Sequence, residues 1–209
     1  MEYLFSDEHL DLCKEQVWEA KSDMKIYGLL SEFELEQFQE YLPRECKRSF
    51  EFGAGMGRGS IQLHKIYGND TEYYLADRQG RTSNKGVFFP QDDEFYNDFD
   101  LTRSFCELNG LKDFQVFDTE LDDWSRLPKF DLITSRCSLG FHVKIDRYID
   151  RLISIAAPEV TMIFGVNRIV SEESEDYLHR FKEWKLIPGK EDHRLPLQSW
   201  LILKGLDSQ

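Results

Sequence analysis

No apolar run in this chain approaches the roughly 20 residues that a membrane-spanning helix needs. The opening Met1-Glu2-Tyr3-Leu4-Phe5 has neither a basic segment nor a long apolar one. No signal peptide is therefore expected, and a cytoplasmic location is the default expectation. Cysteines are few and scattered: Cys13, Cys46, Cys106 and Cys137 form no Cys-x-x-Cys pair, which argues for buried free thiols rather than disulfides or zinc. The histidines show no His-x-x-x-His spacing either. Positive charge is scarce: 26 Lys and Arg face 39 Asp and Glu, for a net charge of −13. The acids are spread along the chain. Such a balance opposes general affinity for nucleic acid or anionic membrane, both of which need a basic field. Gly-x-Ser-x-Gly, the nucleophile turn of many hydrolases, is missing.

What remains is globular. With 209 residues, 41% apolar and 14% aromatic, the chain has enough material for one sizeable core. There is no internal repeat and no low-complexity linker.

The most informative stretch is Ser49–Ser60, Ser-Phe-Glu-Phe-Gly-Ala-Gly-Met-Gly-Arg-Gly-Ser. Phe50 and Phe52 mark a short buried strand, and glycines at 53, 55, 57 and 59 follow at once. Ile61, Leu63, Ile66 and Tyr67 then predict a helix closed by Gly68-Asn69-Asp70. Strand, glycine turn and helix open a nucleotide-binding α/β unit, in which bare glycines let the backbone approach a ligand. The dinucleotide fingerprint Gly-x-Gly-x-x-Gly does not fit, because its third glycine would fall on Arg58 or Ser60. The chain has instead Glu51-x-Gly53-x-Gly55-x-Gly57. The bland alternative is a tight turn that binds nothing.

This pattern resembles motif I of the class I S-adenosylmethionine (SAM)-dependent methyltransferases. The resemblance covers roughly residues 47–204. It implies an α/β, Rossmann-like sheet of about seven strands with helices on both faces and an antiparallel last pair. An acid at position 51 suits a cationic sulfonium cofactor better than a pyrophosphate. Glu72–Ala76 reads as the second strand, with Asp77 at its end. There an acid either accepts bonds from ribose hydroxyls, as in the family, or is a plain strand-end acid. Phe114–Phe117 reads as the third strand, and the family's adenine-binding acid then falls on Asp118. Lys129–Thr134 is the fourth. Together these matches imply cofactor contacts at Glu51, Gly53, Gly55, Gly57, Asp77, Arg78, Asp118, Thr119 and Ser135.

Residues 1–46 read as helical. Leu10, Cys13, Val17 and Ala20 recur at helical spacing, and Ser31 with Glu34 makes a capping box ahead of Leu35, Phe38 and Leu42. In the family such helices form a lid over cofactor and substrate; simple packing on the sheet is the alternative. Residues 1–46 are thus expected as a lid segment, and 47–209 as the SAM-binding domain. Residues 78–91 form a locally basic loop (Arg78, Arg81, Lys85), suited to an anionic substrate or merely solvated. A helix is expected from about Asp92 to Asn109, another over 145–156 broken by Pro158, and a third marked by Tyr177, Phe181 and Trp184. Val160–Phe164, Lys185–Pro188 and Ser199–Leu203 read as the remaining strands.

The loop after the fourth strand, Ser135-Arg-Cys-Ser-Leu-Gly-Phe-His142, lies where open α/β sheets place chemistry. If the acceptor is an alcohol, a base must take its proton, and His142 is the candidate; capping or packing the next helix is its equal alternative. Arg136 either pairs with a substrate carboxylate or phosphate or salt-bridges to a nearby acid. No acidic trio stands out as a metal site, so no metal is expected. The Asn-Pro-Pro-Tyr, Asp-Pro-Pro-Tyr and Pro-Cys motifs of methyltransferases acting on bases or glutamine are absent. The expected acceptor is therefore a small molecule, with no nucleic-acid or membrane partner. The loop also resembles that of candidate sugar O-methyltransferases, which implies a hydroxyl acceptor, except that Val143-Lys144 follows the histidine where those have an aromatic residue or proline. An inactive SAM-binding accessory subunit, or a nitrogen or carboxylate acceptor, are the alternatives.

Overall fold

Along the chain run α1 (Asp7–Gln16), α2 (Lys25–Phe38), β1 (Arg48–Phe52), α3 (Arg58–Tyr67), β2 (Glu72–Asp77), β3 (Gly80–Arg81), β4 (Tyr96–Asn97), α4 (Phe99–Leu108), β5 (Phe114–Asp118), β6 (Phe130–Ser135), α5 (Ile149–Ser154), β7 (Ala156–Val166), β8 (Phe181–Ile187) and β9 (Ser199–Leu206). These come from a computed structural model that describes residues 1–16, 24–81, 96–141, 143–166, 175–190 and 198–207. Seven strands form one sheet in the order β5-β2-β1-β6-β7-β9-β8, while β3 and β4 make a separate two-stranded ribbon. The first five strands of the sheet run parallel; β9 lies antiparallel between β7 and β8. The strand count and the antiparallel final pair agree with expectation.

Alternation along the strands decides which face each side chain meets. Phe50 and Phe52 of β1 point to one core, with Tyr74, Phe130, Ile149 and Leu152. The opposite face packs Tyr73, Leu75 and Leu132 against Leu30 of α2, Ile61 of α3 and Phe105 of α4. Helices thus cover both faces. Glu51, between the two phenylalanines, must project to the α3 side, and it is buried there. Each fully buried phenylalanine contributes about 1.5–3 kcal/mol relative to exposure.

Four expectations are corrected. Ser31 and Glu34 do not cap a helix: α2 begins at Lys25, so both lie inside it. Ser31 instead donates its hydroxyl back to the Tyr27 carbonyl at 3.0 Å. The helix expected from Asp92 begins at Phe99, because Asp98 caps it, accepting from the N–H groups of Asp100 and Leu101. Pro158 does not break a helix; it lies within β7, near a register shift between Phe130 and Leu132 of β6. A missing N–H is tolerated at such an irregularity. The helix placed over Tyr177–Trp184 is a 3-10 turn (Glu175–Arg180) followed by β8. Apolar spacing over so short a span does not separate helix from strand, and pairing with β9 decides the outcome.

Candidate active site

The parallel strands deliver their carboxyl ends to one edge. Phe52 pairs with Ala76, Asp77 with Asp118, and Glu51 with Thr134, so β1, β2, β5 and β6 all discharge there. After β1 the chain turns through Gly53, Gly55 and Gly57 at φ of 67°, 52° and 81°, a left-handed region that disfavours other residues. Two of these glycines also face protein closely. A Cβ on Gly53 would lie 2.1 Å from that of Ser138, and one on Gly57 would lie 2.5 Å from Leu75 Cδ2. Gly59 faces Glu51 in the same way.

Helix α3 starts from Gly57 with no side-chain cap of its own. Glu51 supplies the missing acceptor: its Oε2 takes the Ser60 N–H at 2.7 Å and the Ser60 hydroxyl at 2.6 Å. A carboxylate is thereby already seated on the positive end of this helix. Burial pushes the Glu51 carboxyl above its ordinary range, against the pull of Arg136, Ser60 and Arg58.

Asp77 is half-buried at the end of β2. Its Oδ2 accepts from Gly55 N–H and its Oδ1 from Arg78 N–H, each at 2.7 Å. Each oxygen therefore keeps accepting capacity for a ligand hydroxyl. Burial raises its pKa to about 6, offset in part by those two N–H groups and reinforced by Glu51 and Asp118. Asp118, opposite it, is buried and holds its own turn, accepting from Glu120 and Leu121 N–H at 2.9 and 3.1 Å. Gln79 N–H reaches its Oδ2 at 3.3 Å. Thr119 is buried and donates its N–H to the Asp77 carbonyl at 2.8 Å.

Ser135 is buried, its hydroxyl accepting from Leu139 N–H at 3.0 Å and shaping the loop after β6. Arg136 takes the ion-pair role of the two left open for it. Its guanidinium lies buried between Gln62 Oε1 (2.7 Å) and Glu34 Oε2 (3.3 Å), over the Phe38 ring. Glu34 also holds Arg58 through two bonds of 2.7 Å. Tyr3 adds a hydroxyl bond to the Arg58 carbonyl. A buried polar network thus joins α2, the first turn of α3 and the loop after β6. His142 and most of the basic loop, including Lys85, lie outside the described residues. Among the described residues no group of three or more His, Cys, Asp or Glu side chains could hold a metal ion, and no helix is long and apolar enough to cross a membrane.

Neither protein-family models nor curated proteins gave a match. Solved structures did. The ribosomal protein L11 methylase of Lactobacillus delbrueckii subsp. bulgaricus superposes with a TM-score of 0.56 at 16% identity, over 83% of this chain and 77% of its own. For the precorrin-6y C5,15-methyltransferase of Geobacter metallireducens the figures are 0.57, 11%, 84% and 88%. A candidate O-methyltransferase of Klebsiella pneumoniae gives 0.57 and 11%, over 98% of this chain and 92% of that one.

The fold is that of the class I methyltransferases.

Within this methyltransferase fold, Glu51, Gly53, Gly55, Gly57, Asp77, Arg78, Asp118 and Thr119 come together at one edge, with Ser135 opening the neighbouring loop. Sequence reasoning missed Asn97 and Thr102, both buried, which bond the Gly55 carbonyl at 3.1 and 3.0 Å. No motif marks them, since each is a common polar residue near a helix start. In the sequence Glu34 carries only a capping signal, although an acid on the inner face of a helix needs a buried cationic partner.

Proposed function

We propose that this chain is a SAM-dependent methyltransferase whose acceptor is the hydroxyl of a small molecule, with sugar-like alcohols the first class to test. The observation that carries the cofactor reading is Glu51 on the start of α3. A dinucleotide would bring its pyrophosphate to that helix N-terminus, where the Ser60 donors are already taken by a buried carboxylate. A cofactor with a sulfonium and an ammonium group meets no such conflict.

The residues present fit that cofactor. Asp77 retains accepting capacity and is the proposed acceptor for the ribose hydroxyls; Asp118, its register partner, is proposed for the adenine amino group, and the left-handed glycine turn for the amino-acid half. Bound there, SAM supplies an activated methyl group. The chain's contribution is then to hold an acceptor close and in line, which can supply most of the rate enhancement. His142, which follows β6 in the sequence, is proposed as the base that takes the acceptor's proton. Arg136 is not carried forward as a substrate ligand, because Glu34 and Gln62 engage it. The net charge of −13 favours a small acceptor over nucleic acid.

Radiolabelled methyl transfer to a panel of sugar and phenol alcohols tests the proposal. With a genuine acceptor, His142→Ala should lower kcat by about 10²–10⁴-fold while leaving SAM affinity near that of wild type. Unchanged turnover would remove His142 from catalysis. SAM binding without transfer to any alcohol, amine or carboxylate would favour an accessory subunit.

A further inference from the structure

A turn made of alternate glycines has a shallow conformational landscape, so a single geometry needs a clamp from outside. Asn97 and Thr102 are placed to be that clamp. Asn97 is 2% exposed and donates through Nδ2 to the Gly55 carbonyl at 3.1 Å. Its Oδ1 accepts from Asp98 N–H at 2.9 Å, which fixes the amide orientation. Reversing the amide would face N–H with N–H and C=O with C=O. The Thr102 hydroxyl lies 3.0 Å from the Gly55 carbonyl and 3.1 Å from Asn97 Oδ1. Gly55 N–H in turn donates to Asp77 Oδ2 at 2.7 Å. A second path closes the ring: Gln79 Oε1 accepts from Phe99 N–H at 2.8 Å, and Gly80 pairs with Asn97. Helix capping does not account for Asn97, because Asp98 already caps α4.

We infer that Asn97 is a positioning residue, which sets the Asp77 carboxylate for the cofactor ribose through Gly55, with Thr102 in support. The inference rests on the cofactor reading above. Asn97→Asp is the isosteric test: it keeps the oxygen toward Asp98 N–H and sets an acceptor against the Gly55 carbonyl. S-adenosylhomocysteine affinity is measured calorimetrically for wild type, Asn97→Asp, Asp77→Ala and the double variant. Asn97→Asp should weaken binding about tenfold or more, because acceptor then faces acceptor at the Gly55 carbonyl and the displaced turn no longer holds Asp77 at the ribose. The double variant should bind no more weakly than the worse single one, since both changes act on one contact. Asn97→Asp binding within about twofold of wild type, or losses that multiply in the double variant, would overturn the inference. Should circular dichroism show Asn97→Asp unfolded, Thr102→Val enters the same cycle under the same criteria, with a several-fold loss expected. Wild type that binds no S-adenosylhomocysteine defeats the cofactor reading itself and this inference with it, whereas an indifferent Asn97→Asp defeats the inference alone.

Discussion

Replacing Glu34 by alanine should be among the most destabilising changes in this protein. Its side chain is 3% exposed, and its two oxygens meet Arg58 at 2.7 Å each and Arg136 at 3.3 Å. Both guanidinium groups are themselves at least nine-tenths buried. The alanine variant leaves two buried cations without the carboxylate that accepts three of their hydrogen bonds. Removing one partner of a buried pair costs about 3–5 kcal/mol. At about 2–4 °C per kcal/mol for a domain of this size, the midpoint should fall on the order of 6–20 °C. Arg48–Glu72 is the internal control, a 3.1 Å pair with side chains 40% and 54% exposed. Glu72→Ala should cost at most about 1 kcal/mol. Urea denaturation followed by tryptophan fluorescence reads both variants. A Glu34→Ala loss no larger than that of Glu72→Ala would refute the claim that this network is buried and joins α2 to α3.

Two further predictions concern the site itself. Asp77 titrates near 6 in the folded protein against 3.8 for the free group, so its ionised form is disfavoured by folding. The folded state then holds the extra proton between about pH 4 and 6, and stability falls as pH rises through that window. Asp77→Asn does not titrate but sets its amide NH2 against one of the two backbone N–H donors, so its unfolding temperature should gain on that of wild type as pH rises from about 4 to 6, while cofactor affinity drops. A difference between the two proteins that stays the same from pH 4 to pH 8 would contradict the raised pKa. Gly57→Ala forces a side chain to φ 81° and sets its Cβ 2.5 Å from Leu75 and 2.6 Å from Cys106. A loss of about 1–3 kcal/mol in denaturant unfolding is expected, and a neutral result would mean the turn can relax.

The strand framework and the glycine turn could be read from the sequence because local signals agree there. Phe50 and Phe52 bracket Glu51, glycine follows at once, and Asp77 and Asp118 stand where two further apolar runs stop. The rest depends on who pairs with whom. Nothing local says that Phe181–Ile187 will be recruited by β9, or that Ser31 and Glu34 lie on the inner face of a helix rather than at its start. Arg136 read equally as ligand or ion pair until α2 brought Glu34 to it from the far end of the chain. Asn97 and Thr102 gave no signal, since their partner is a backbone carbonyl more than forty residues earlier.

The central claim is that this edge of the sheet holds SAM. Isothermal titration of the full chain with SAM, S-adenosylhomocysteine and NAD tests it most directly. Micromolar affinity for both adenosyl ligands and none for NAD is the predicted result. No heat from either adenosyl ligand, or comparable binding of NAD, would contradict it and leave the glycine turn as packing alone.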